Sequence, residues 1–406
     1  MTSWFRLDKE YLMSTYRRMP VAIKKGEGCK LYDVNGKGYL DLFSGVGVNI
    51  LGYNHPNIVK ATHEQVEKFL HLPFHFLNPV AIEYAKKLVD YSLKDGKVYF
   101  TNSGAEATEA TLKLIHKYRY ITGQKRDGVI VLKESFHGRT LGALHFTRQE
   151  SVYQDFPHTS IPVYEVEREN LKELERAILK ENPIAIMLEP ILGSGGIYPL
   201  SGEYLKGVEE LCKQYNMLFI VDEVQSGIGR TGKLFAYQHF GITPDIIQFG
   251  KGAGGGTPLG GIIVGSRLYD TFSPGDHGTT FAHSPIGTAL GLTVLNTLID
   301  EGLMHSSYEM SLYLNEKLQK IQEDNPSFIG EVRHCGMMFG ISIHETYKNV
   351  EKLQLELLNK GMLVDLTNGN TIRLLPPYII TRTEIDEFIN QFISCIPKSV
   401  ALTSKM

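Results

Sequence analysis

Short apolar runs alternate with longer amphipathic segments between about residue 95 and residue 265. This alternation is typical of strand and helix units that form a parallel sheet, because each crossover helix must bury one face against that sheet. We therefore predict an α/β fold. The apolar runs give six predicted strands, at residues 98–101, 129–132, 184–188, 218–221, 246–249 and 262–264.

The segment between the third and fourth predicted strands has the pattern of a crossover helix. Residues 201–216 carry apolar side chains at helical spacing, with Ser201 as the predicted N-cap and Asn216 as the predicted stop. We expect this helix to lead into the strand that ends at Asp222.

The two ends of the chain have a different character. Near the N-terminus, an Asn35-Gly36 turn between two short runs predicts a hairpin. From about residue 290, charged helices such as SLYLNEKLQKIQE precede short strands around MMFGISI and TIRLLPP, which predicts a smaller α+β domain. We expect an N-terminal segment (1–55) that packs with this small domain, a large domain (56–290) and the small domain itself (291–406).

Charge and cysteine content narrow the class of partner and the compartment. The 42 basic and 45 acidic residues give a formal net charge of -3 and are spread along the chain, which argues against a nucleic-acid surface and in favour of a small-molecule ligand. The four cysteines lie far apart and match no metal or redox spacing. The N-terminal residues carry charges throughout and have no apolar core of signal-peptide length, and no apolar run elsewhere is long enough to cross a bilayer. We therefore expect an intracellular, cytoplasmic protein without a metal site.

Ligands of open parallel sheets bind at the carboxyl ends of the strands, so the residues that follow each apolar run are the candidate site residues. After residues 98–101 come Asn102, Ser103, Gly104 and Ala105, small residues that lead into a helix and whose backbone N–H groups can approach an anion. The alternative is an ordinary turn capped by Ser103. At the end of MLFIVDE, the Asp222 carboxylate can hold a protonated pyridine nitrogen, or it can simply cap a helix.

The third candidate is Lys251, which follows a predicted strand within a cluster of glycines, in DIIQFGKGAGGGTPLGG. A desolvated lysine becomes a neutral nucleophile, and glycines allow a planar cofactor to approach the backbone. A solvated surface lysine is the alternative. The segment is not a Walker phosphate loop, because Gly252 stands where Ser or Thr is required.

Two further segments add candidate ligand contacts. FHGRT supplies Phe136, an aromatic ring that can stack on a flat cofactor, and Arg139, whose guanidinium can bind a carboxylate through two hydrogen bonds. HGTTF supplies the hydroxyls of Thr279 and Thr280. A core aromatic, a surface ion pair and a loop cap are the alternative interpretations.

Taken in order, SGAEA, FHGRT, LEP, VDEVQSGIGRTG, GKGAGGG and HGTTF resemble the class III (ω-) aminotransferases, a group of fold-type I pyridoxal-phosphate (PLP) enzymes. The resemblance extends from about residue 11 to about residue 377, and YLMSTYRRMP, LDLFSGVGVNILGYNHP and NTIRLLPP are closest to acetylornithine aminotransferases. It implies a large domain with a mainly parallel seven-stranded sheet, a small α+β domain, and pyridoxal 5'-phosphate as the cofactor.

The resemblance also implies a role for each matching residue. Lys251 binds the cofactor covalently, Asp222 contacts its pyridine nitrogen, Phe136 stacks on its ring and Gln225 faces its phenolic oxygen. Gly104 and Ala105 bind the phosphate through backbone N–H groups, and Thr280 reaches the phosphate of the other subunit in a homodimer. Three further positions match substrate-binding residues of the family, namely Arg139, Thr279 and Arg373.

The implied reaction is a ping-pong transamination between N-acetylornithine, or a related ω-amino acid, and 2-oxoglutarate, in arginine biosynthesis. The alternatives are a class III aminotransferase for ornithine, lysine, 4-aminobutyrate or another amine, an amino-acid racemase or epimerase, and a non-catalytic protein of the same fold. Retention of the lysine, aspartate and arginine argues against the last.

The chain departs from the acetylornithine pattern at two places. EPILGS replaces the usual EPIQGE, so that Leu192 and Ser194 stand for a glutamine and a glutamate, and Leu72, Pro73 and Phe74 replace a CSN segment. A pocket made more apolar by Leu192, Pro73 and Phe74 would favour another amine donor. In the family the missing glutamate commonly pairs with the arginine at position 373, so we expect Arg373 to be without that partner and ready for a substrate carboxylate. The alternative is that another acid supplies the charge.

Overall fold

The computed structural model describes residues 4–156 and 161–397. The outermost residues of the predicted end segments, 1–3 and 398–406, therefore lie outside the described residues. The helices, in chain order, are α1 (Trp4–Tyr11), α2 (Ser44–Gly47), α3 (Pro56–Val66), α4 (Pro79–Asp90), α5 (Gly104–Ile121), α6 (Leu141–Phe146), α7 (Glu150–Tyr153), α8 (Leu171–Glu181), α9 (Gly202–Gln214), α10 (Pro285–Ile299), α11 (Leu303–Asp324), α12 (Val350–Asn359) and α13 (Arg382–Ser394).

The strands are short and fall into four sheets. In chain order they are β1 (Ile23–Glu27), β2 (Lys30–Asp33), β3 (Gly38–Asp41), β4 (Lys97–Thr101), β5 (Val129–Leu132), β6 (Val163–Val166), β7 (Ala185–Leu188), β8 (Ile191–Leu192), β9 (Tyr198–Pro199), β10 (Leu218–Asp222), β11 (Ile246–Phe249), β12 (Gly260–Val264), β13 (Ile329–Cys335), β14 (Met338–Ile343), β15 (Met362–Leu363), β16 (Asp365–Thr367) and β17 (Thr371–Leu374).

The largest sheet has seven strands in the order β4-β12-β11-β10-β7-β5-β6. Only β12 runs antiparallel to its neighbours, so the predicted α/β architecture with a mainly parallel sheet is confirmed. Every residue of β5, β7, β10 and β11 is buried, as expected for strands covered by helices on both faces.

All six predicted strands belong to this sheet, and the seventh, β6, is the one that the sequence analysis misses. Its residues, VYEV, include an acid and only two fully apolar side chains, and it pairs with one neighbour at the edge of the sheet. At this edge three of its four side chains are partly or fully exposed, so they do not need to be apolar.

Helix α9 forms for the predicted reasons. The Ser201 hydroxyl accepts a hydrogen bond from the Tyr204 N–H at 3.1 Å, and the helix buries Tyr204, Leu205, Val208 and Cys212 against the core. It ends at Gln214, and Asn216 adopts a left-handed conformation with φ of 51°. Asparagine tolerates this conformation better than most residues, which explains the stop before β10.

The smaller sheets lie in the N-terminal and C-terminal parts of the chain. The predicted hairpin is formed by β2 and β3, and β3 pairs in parallel with β15, so the N-terminal segment is hydrogen-bonded to the C-terminal part. A second four-stranded sheet has the order β13-β14-β17-β16. The division into segments 1–55, 56–290 and 291–406 remains our proposal, and its second boundary falls inside α10. Within residues 4–156 and 161–397, no helix combines the length and apolarity that a bilayer crossing requires.

Candidate active site

The carboxyl ends of five strands of the seven-stranded sheet carry the candidate site residues. Gly104 follows β4, Phe136 follows β5 after a short turn, and Asp222 is the last residue of β10. Glu189 directly follows β7, and Lys251 lies two residues after the end of β11. Because parallel strands end at the same edge of a sheet, these residues converge although up to 147 positions separate them in the chain.

Lys251 begins a single turn of 3₁₀-helix with φ of 48°, a left-handed conformation that is unfavourable for lysine. Strained residues of this kind are concentrated at functional sites. The side chain stays partly accessible, yet burial lowers the pKa of its amine to about 8. Asp222 opposes this lowering, whereas Arg373 and Arg230 contribute to it. The amine of Lys251 therefore loses its proton far more readily near neutral pH than an ordinary lysine does, as a nucleophile requires.

Asp222 is fixed by hydrogen bonds to both of its carboxylate oxygens. Oδ1 accepts from the Val224 N–H at 3.0 Å, and Oδ2 lies 2.7 Å from Nδ1 of His137. His137 is itself held by Thr108, whose hydroxyl donates to the His137 carbonyl at 2.8 Å. Asp222 is thus an oriented buried carboxylate rather than a helix cap.

Glu189 links the turn after β5 to the turn after β7. Its Oε1 accepts from the Phe136 N–H at 2.9 Å, and its Oε2 accepts from the Gly193 N–H at 3.2 Å. Burial raises the pKa of this carboxyl to about 7, an effect that nearby Asp222 strengthens and His137 opposes. The contact with the Phe136 backbone holds the half-buried aromatic ring in its position.

The N-terminus of α5 is the candidate anion site. The Ser103 hydroxyl caps the helix by accepting from the Glu106 N–H at 3.2 Å, and Gly104 and Ala105 are its first residues. A Cβ added to Gly104 would lie 2.7 Å from a methyl group of Val224, so only glycine allows the turns after β4 and β10 to pack this closely. The expected helix start and the cap by Ser103 are both present, and the binding of an anion at this turn stays a prediction.

The remaining predicted contacts lie around this centre. Thr279 accepts from the Asn102 side chain at 3.0 Å, which places the HGTTF loop beside the start of α5, and Thr280 is exposed. The exposed guanidinium of Arg139 lies 5.6 Å from the centroid of the Phe136 ring and has no ion pair with any described residue. Arg139 is therefore available to a ligand carboxylate.

Arg373 is paired, so the expectation that it lacks a carboxylate partner is wrong. Its Nε and Nη2 donate to Oδ2 of Asp365 at 2.9 and 2.6 Å, and its Nη1 donates to Oε1 of Gln225 at 3.3 Å. The sequence analysis left another acid open as the alternative to the lost glutamate at position 194 but did not identify it. Asp365 supplies the charge from the adjacent strand, where its backbone is the cross-strand partner of Arg373.

The expectation that Leu192 makes the substrate pocket more apolar is also wrong. Leu192 forms part of β8 and is completely buried in the main hydrophobic core, so it presents no surface to a ligand. Pro73 and Phe74 are exposed, with 59% of the Phe74 surface accessible. The departures at Leu192, Pro73 and Phe74 therefore do not alter an internal pocket of the single chain.

Three residues of the site carry no assigned role in the sequence analysis, namely His137, Glu189 and Asp365. His137 and Glu189 stand within the motifs FHGRT and LEP, so their position after a predicted strand is a signal that could have found them. Asp365 precedes Arg373 by eight residues, and only the pairing of β16 with β17 brings the two side chains together.

The residues present fit pyridoxal 5'-phosphate. The buried Nε2 of His137 has no hydrogen-bond partner among the described residues, as expected where a polar ligand completes a site. Four groups lie at one sheet edge, and each matches one part of this cofactor. The amine of lowered pKa matches the aldehyde, the oriented carboxylate matches the pyridine nitrogen, the aromatic ring matches the cofactor ring, and the helix N-terminus matches the phosphate.

Comparisons with known proteins agree with this geometry. The family model "Aminotransferase class-III" matches residues 11–396. The chain is 40% identical to the acetylornithine aminotransferase of Caldanaerobacter subterraneus subsp. tengcongensis over 94% of this chain and 95% of the relative. It is 32% identical to the acetylornithine aminotransferase structure from Elizabethkingia anophelis, with a TM-score of 0.84 and 97% of each chain covered.

An ornithine aminotransferase structure from Toxoplasma gondii, which is described with partial occupancy of PLP at its active site, has a TM-score of 0.91 and 29% identity. The match covers 99% of this chain and 95% of the Toxoplasma gondii chain. Together with the full-length family match, these similarities identify the chain as a member of the class III aminotransferases, a family of PLP-dependent enzymes.

Proposed function

We propose that this enzyme transfers an amino group between N-acetylornithine, or a related ω-amino acid, and 2-oxoglutarate, giving the semialdehyde and glutamate in arginine biosynthesis. The observation that carries the proposal is the amine of Lys251, with a pKa of about 8, at the same sheet edge as the oriented carboxylate of Asp222. Several relatives named acetylornithine aminotransferase, at 36–40% identity, support the choice of donor.

Each site residue has a part in this proposal. Lys251 would hold the cofactor until the substrate amine displaces it, and its freed Nζ would then take the proton from the amine-bearing carbon of the substrate. When bound, the cofactor supplies an electron sink for the resulting carbanion. Asp222, held by His137 and Val224, keeps the pyridine nitrogen protonated, and Phe136 covers the ring. Gly104 and Ala105 hold the phosphate with backbone N–H groups, and Gln225 completes the set near the phenolic oxygen.

The substrate carboxylates are assigned to two arginines. Arg139 is exposed and unpaired among the described residues, so its five N–H donors are available to the α-carboxylate of an amino acid. Arg373, on β17, is assigned to the other end of the substrate. Thr279 adds a hydroxyl beside the phosphate-binding turn.

A homodimer and a cytoplasmic location belong to the same proposal. Thr280 is exposed in the single chain, and so is the neighbouring Phe281, at 61%. Both are available to a second subunit, which supports a contact of Thr280 with the phosphate in the other active site. The four free cysteines are consistent with a reducing compartment.

An ornithine-type donor is the second candidate. Structural neighbours named ornithine aminotransferases support it, and so does the Asp365–Arg373 pair, because a neutralised arginine tolerates an uncharged or cationic group beside it. Lysine, 4-aminobutyrate and other amines, and racemase or epimerase activity, are weaker alternatives, since the class III relatives reported above are aminotransferases.

A donor screen tests the proposal. The cofactor-loaded enzyme is assayed with 2-oxoglutarate as acceptor and N-acetylornithine, ornithine, lysine or 4-aminobutyrate as donor, and glutamate formation is measured. We expect kcat/KM to be highest for N-acetylornithine. A higher value for ornithine would favour the second candidate, and loss of optical activity without glutamate formation would favour a racemase.

A further inference from the structure

We propose that Asp365 is a specificity-determining residue that keeps the Arg373 subsite close to neutral charge in both halves of the reaction. This inference rests on the proposed function, which assigns a substrate end to Arg373. The inference is that the negative charge of Asp365 limits the affinity of this subsite for a carboxylate.

The hydrogen-bond geometry leaves one side of the guanidinium unoccupied by Asp365. Oδ2 of Asp365 accepts from Nε and Nη2, which form the lateral edge of the group. Nη1 contacts only Oε1 of Gln225, at the longer distance of 3.3 Å. A second carboxylate can therefore approach Nη1 and Nη2 while Asp365 remains bound, and Arg373 does not have to lose its partner before a substrate binds.

The position of Asp365 on a strand makes the pair difficult to open. Asp365 and Arg373 are directly opposed on β16 and β17, and a short aspartate side chain has little reach beyond its own position. The strand is also tied at its other end, because Thr367 donates to the Ser194 carbonyl and the Asn368 side chain donates to the Gly195 carbonyl at 2.9 Å. The backbone around the pair is therefore fixed on both sides.

Limited solvent screening makes the charge of Asp365 effective. The Arg373 side chain is 8% exposed and that of Asp365 24% exposed, so water weakens their interaction less than it would at an open surface. A negative charge at this position lowers the attraction between Arg373 and any substrate carboxylate. It correspondingly favours a donor that places an uncharged acyl group or a cation near Arg373.

The test is the affinity of the cofactor-loaded enzyme for glutarate, a dicarboxylate without an amine or keto group that resembles glutamate in length. Isothermal titration compares the parent with Asp365→Asn. We expect the variant to bind glutarate about tenfold more tightly, which corresponds to about 1.4 kcal/mol. In single-turnover experiments we also expect the rate ratio of glutamate to N-acetylornithine to rise.

Glu331→Gln is the matched control. It removes the carboxylate partner of Arg333, an equally buried arginine on β13 of the same sheet, and Glu331 contacts no residue assigned to the active site. This control should leave glutarate affinity and the rate ratio unchanged. If Asp365→Asn folds poorly, as judged from its melting temperature, Asp365→Ser replaces it, with the same expected result.

Unchanged or weaker glutarate binding in a folded Asp365 variant would overturn the inference, because it would mean that Asp365 only orients Arg373. An equal effect of Glu331→Gln would overturn it as well, by making the change a general response of the sheet. Failure of the proposed function has a different signature: the parent enzyme then prefers another donor, whereas the glutarate comparison gives its result independently.

Discussion

Nδ1 of His137 lies 2.7 Å from Oδ2 of Asp222, and both side chains are buried at the ends of strands β5 and β10. The second oxygen of Asp222 is held by a backbone N–H. With both oxygens fixed, the carboxylate cannot rotate away from a ligand. His137 is therefore a positioning residue for Asp222.

Asp222→Asn should retain the cofactor and lose most of the transamination rate, because an amide cannot stabilise a protonated pyridine nitrogen. Loss of a buried charge interaction of about 3 kcal/mol corresponds to a rate decrease of more than a hundredfold. The measurement is the rate of the first half-reaction, followed by the absorbance of the bound cofactor. A rate equal to that of the parent would exclude the assigned role.

His137→Phe should have the same type of effect but a smaller one, because it removes the fixed partner and leaves the carboxylate. The His137→Gln variant keeps a hydrogen-bond donor near Asp222 and is the control. We expect the rate of His137→Gln to lie between those of the parent and His137→Phe. Equal rates in the two variants would indicate that His137 does not act through Asp222.

Lys251→Met should abolish transamination and stabilise the cofactor-free protein. Burial lowers the pKa of Lys251 to about 8 in the folded state, below 10.5, so the unfolded chain binds the additional proton between these values and stability rises with pH. Below pH 8 the full penalty is present, at most about 3 kcal/mol. Urea unfolding at pH 7 and 9.5 should therefore show a larger advantage of the Met variant at pH 7. An advantage that does not change with pH would contradict the lowered pKa.

Glu189→Gln should change the pH dependence of stability in the opposite direction. Burial raises the pKa of Glu189 to about 7 from 4.5, so the folded state binds the additional proton in this window and stability falls as pH rises. The Gln variant avoids this penalty, which reaches at most about 3 kcal/mol above pH 7. Relative to the parent, the Gln variant should therefore have a larger free energy of unfolding at pH 8 than at pH 5.

A second consequence of Glu189→Gln separates charge from geometry. The amide retains one acceptor but turns a donor toward the N–H of Phe136 or Gly193, which now donate to Glu189. The variant should therefore be less stable than the parent at pH 5, where Glu189 is protonated in the folded state and most of the burial penalty is absent. No loss at pH 5 would mean that these two hydrogen bonds contribute little.

Thr280→Val should weaken cofactor retention without altering the proposed dimer, since valine keeps the shape of threonine and removes the hydroxyl. Native mass spectrometry gives both the oligomeric state and the fraction of loaded subunits. Thr257→Val, which removes a hydroxyl that bonds the Gly254 carbonyl in the same chain, is the control. A fully active monomer would contradict a contribution from the second subunit.

The sequence by itself predicted the parallel sheet and most of its strands, because buried strands such as β5 and β11 are continuous apolar runs with turn residues on both sides. It also located Lys251, Asp222 and Gly104, since Asp222 ends a predicted strand segment and the other two follow one within three residues. The position of a residue at the end of a buried strand is a local property, and this makes it visible in the chain.

Only the tertiary structure decided which side chains meet. The Asp365–Arg373 pair depends on the register of β16 against β17, and the His137–Asp222 pair joins two strands that are separated by β7 in the sheet. The same holds for Leu192, which the sequence analysis considered as a pocket residue and which the structure places in the hydrophobic core. Strand register and burial arise from the packing of distant segments, so no local pattern specifies them. The apolar pattern that predicts each strand, in contrast, is a property of consecutive residues.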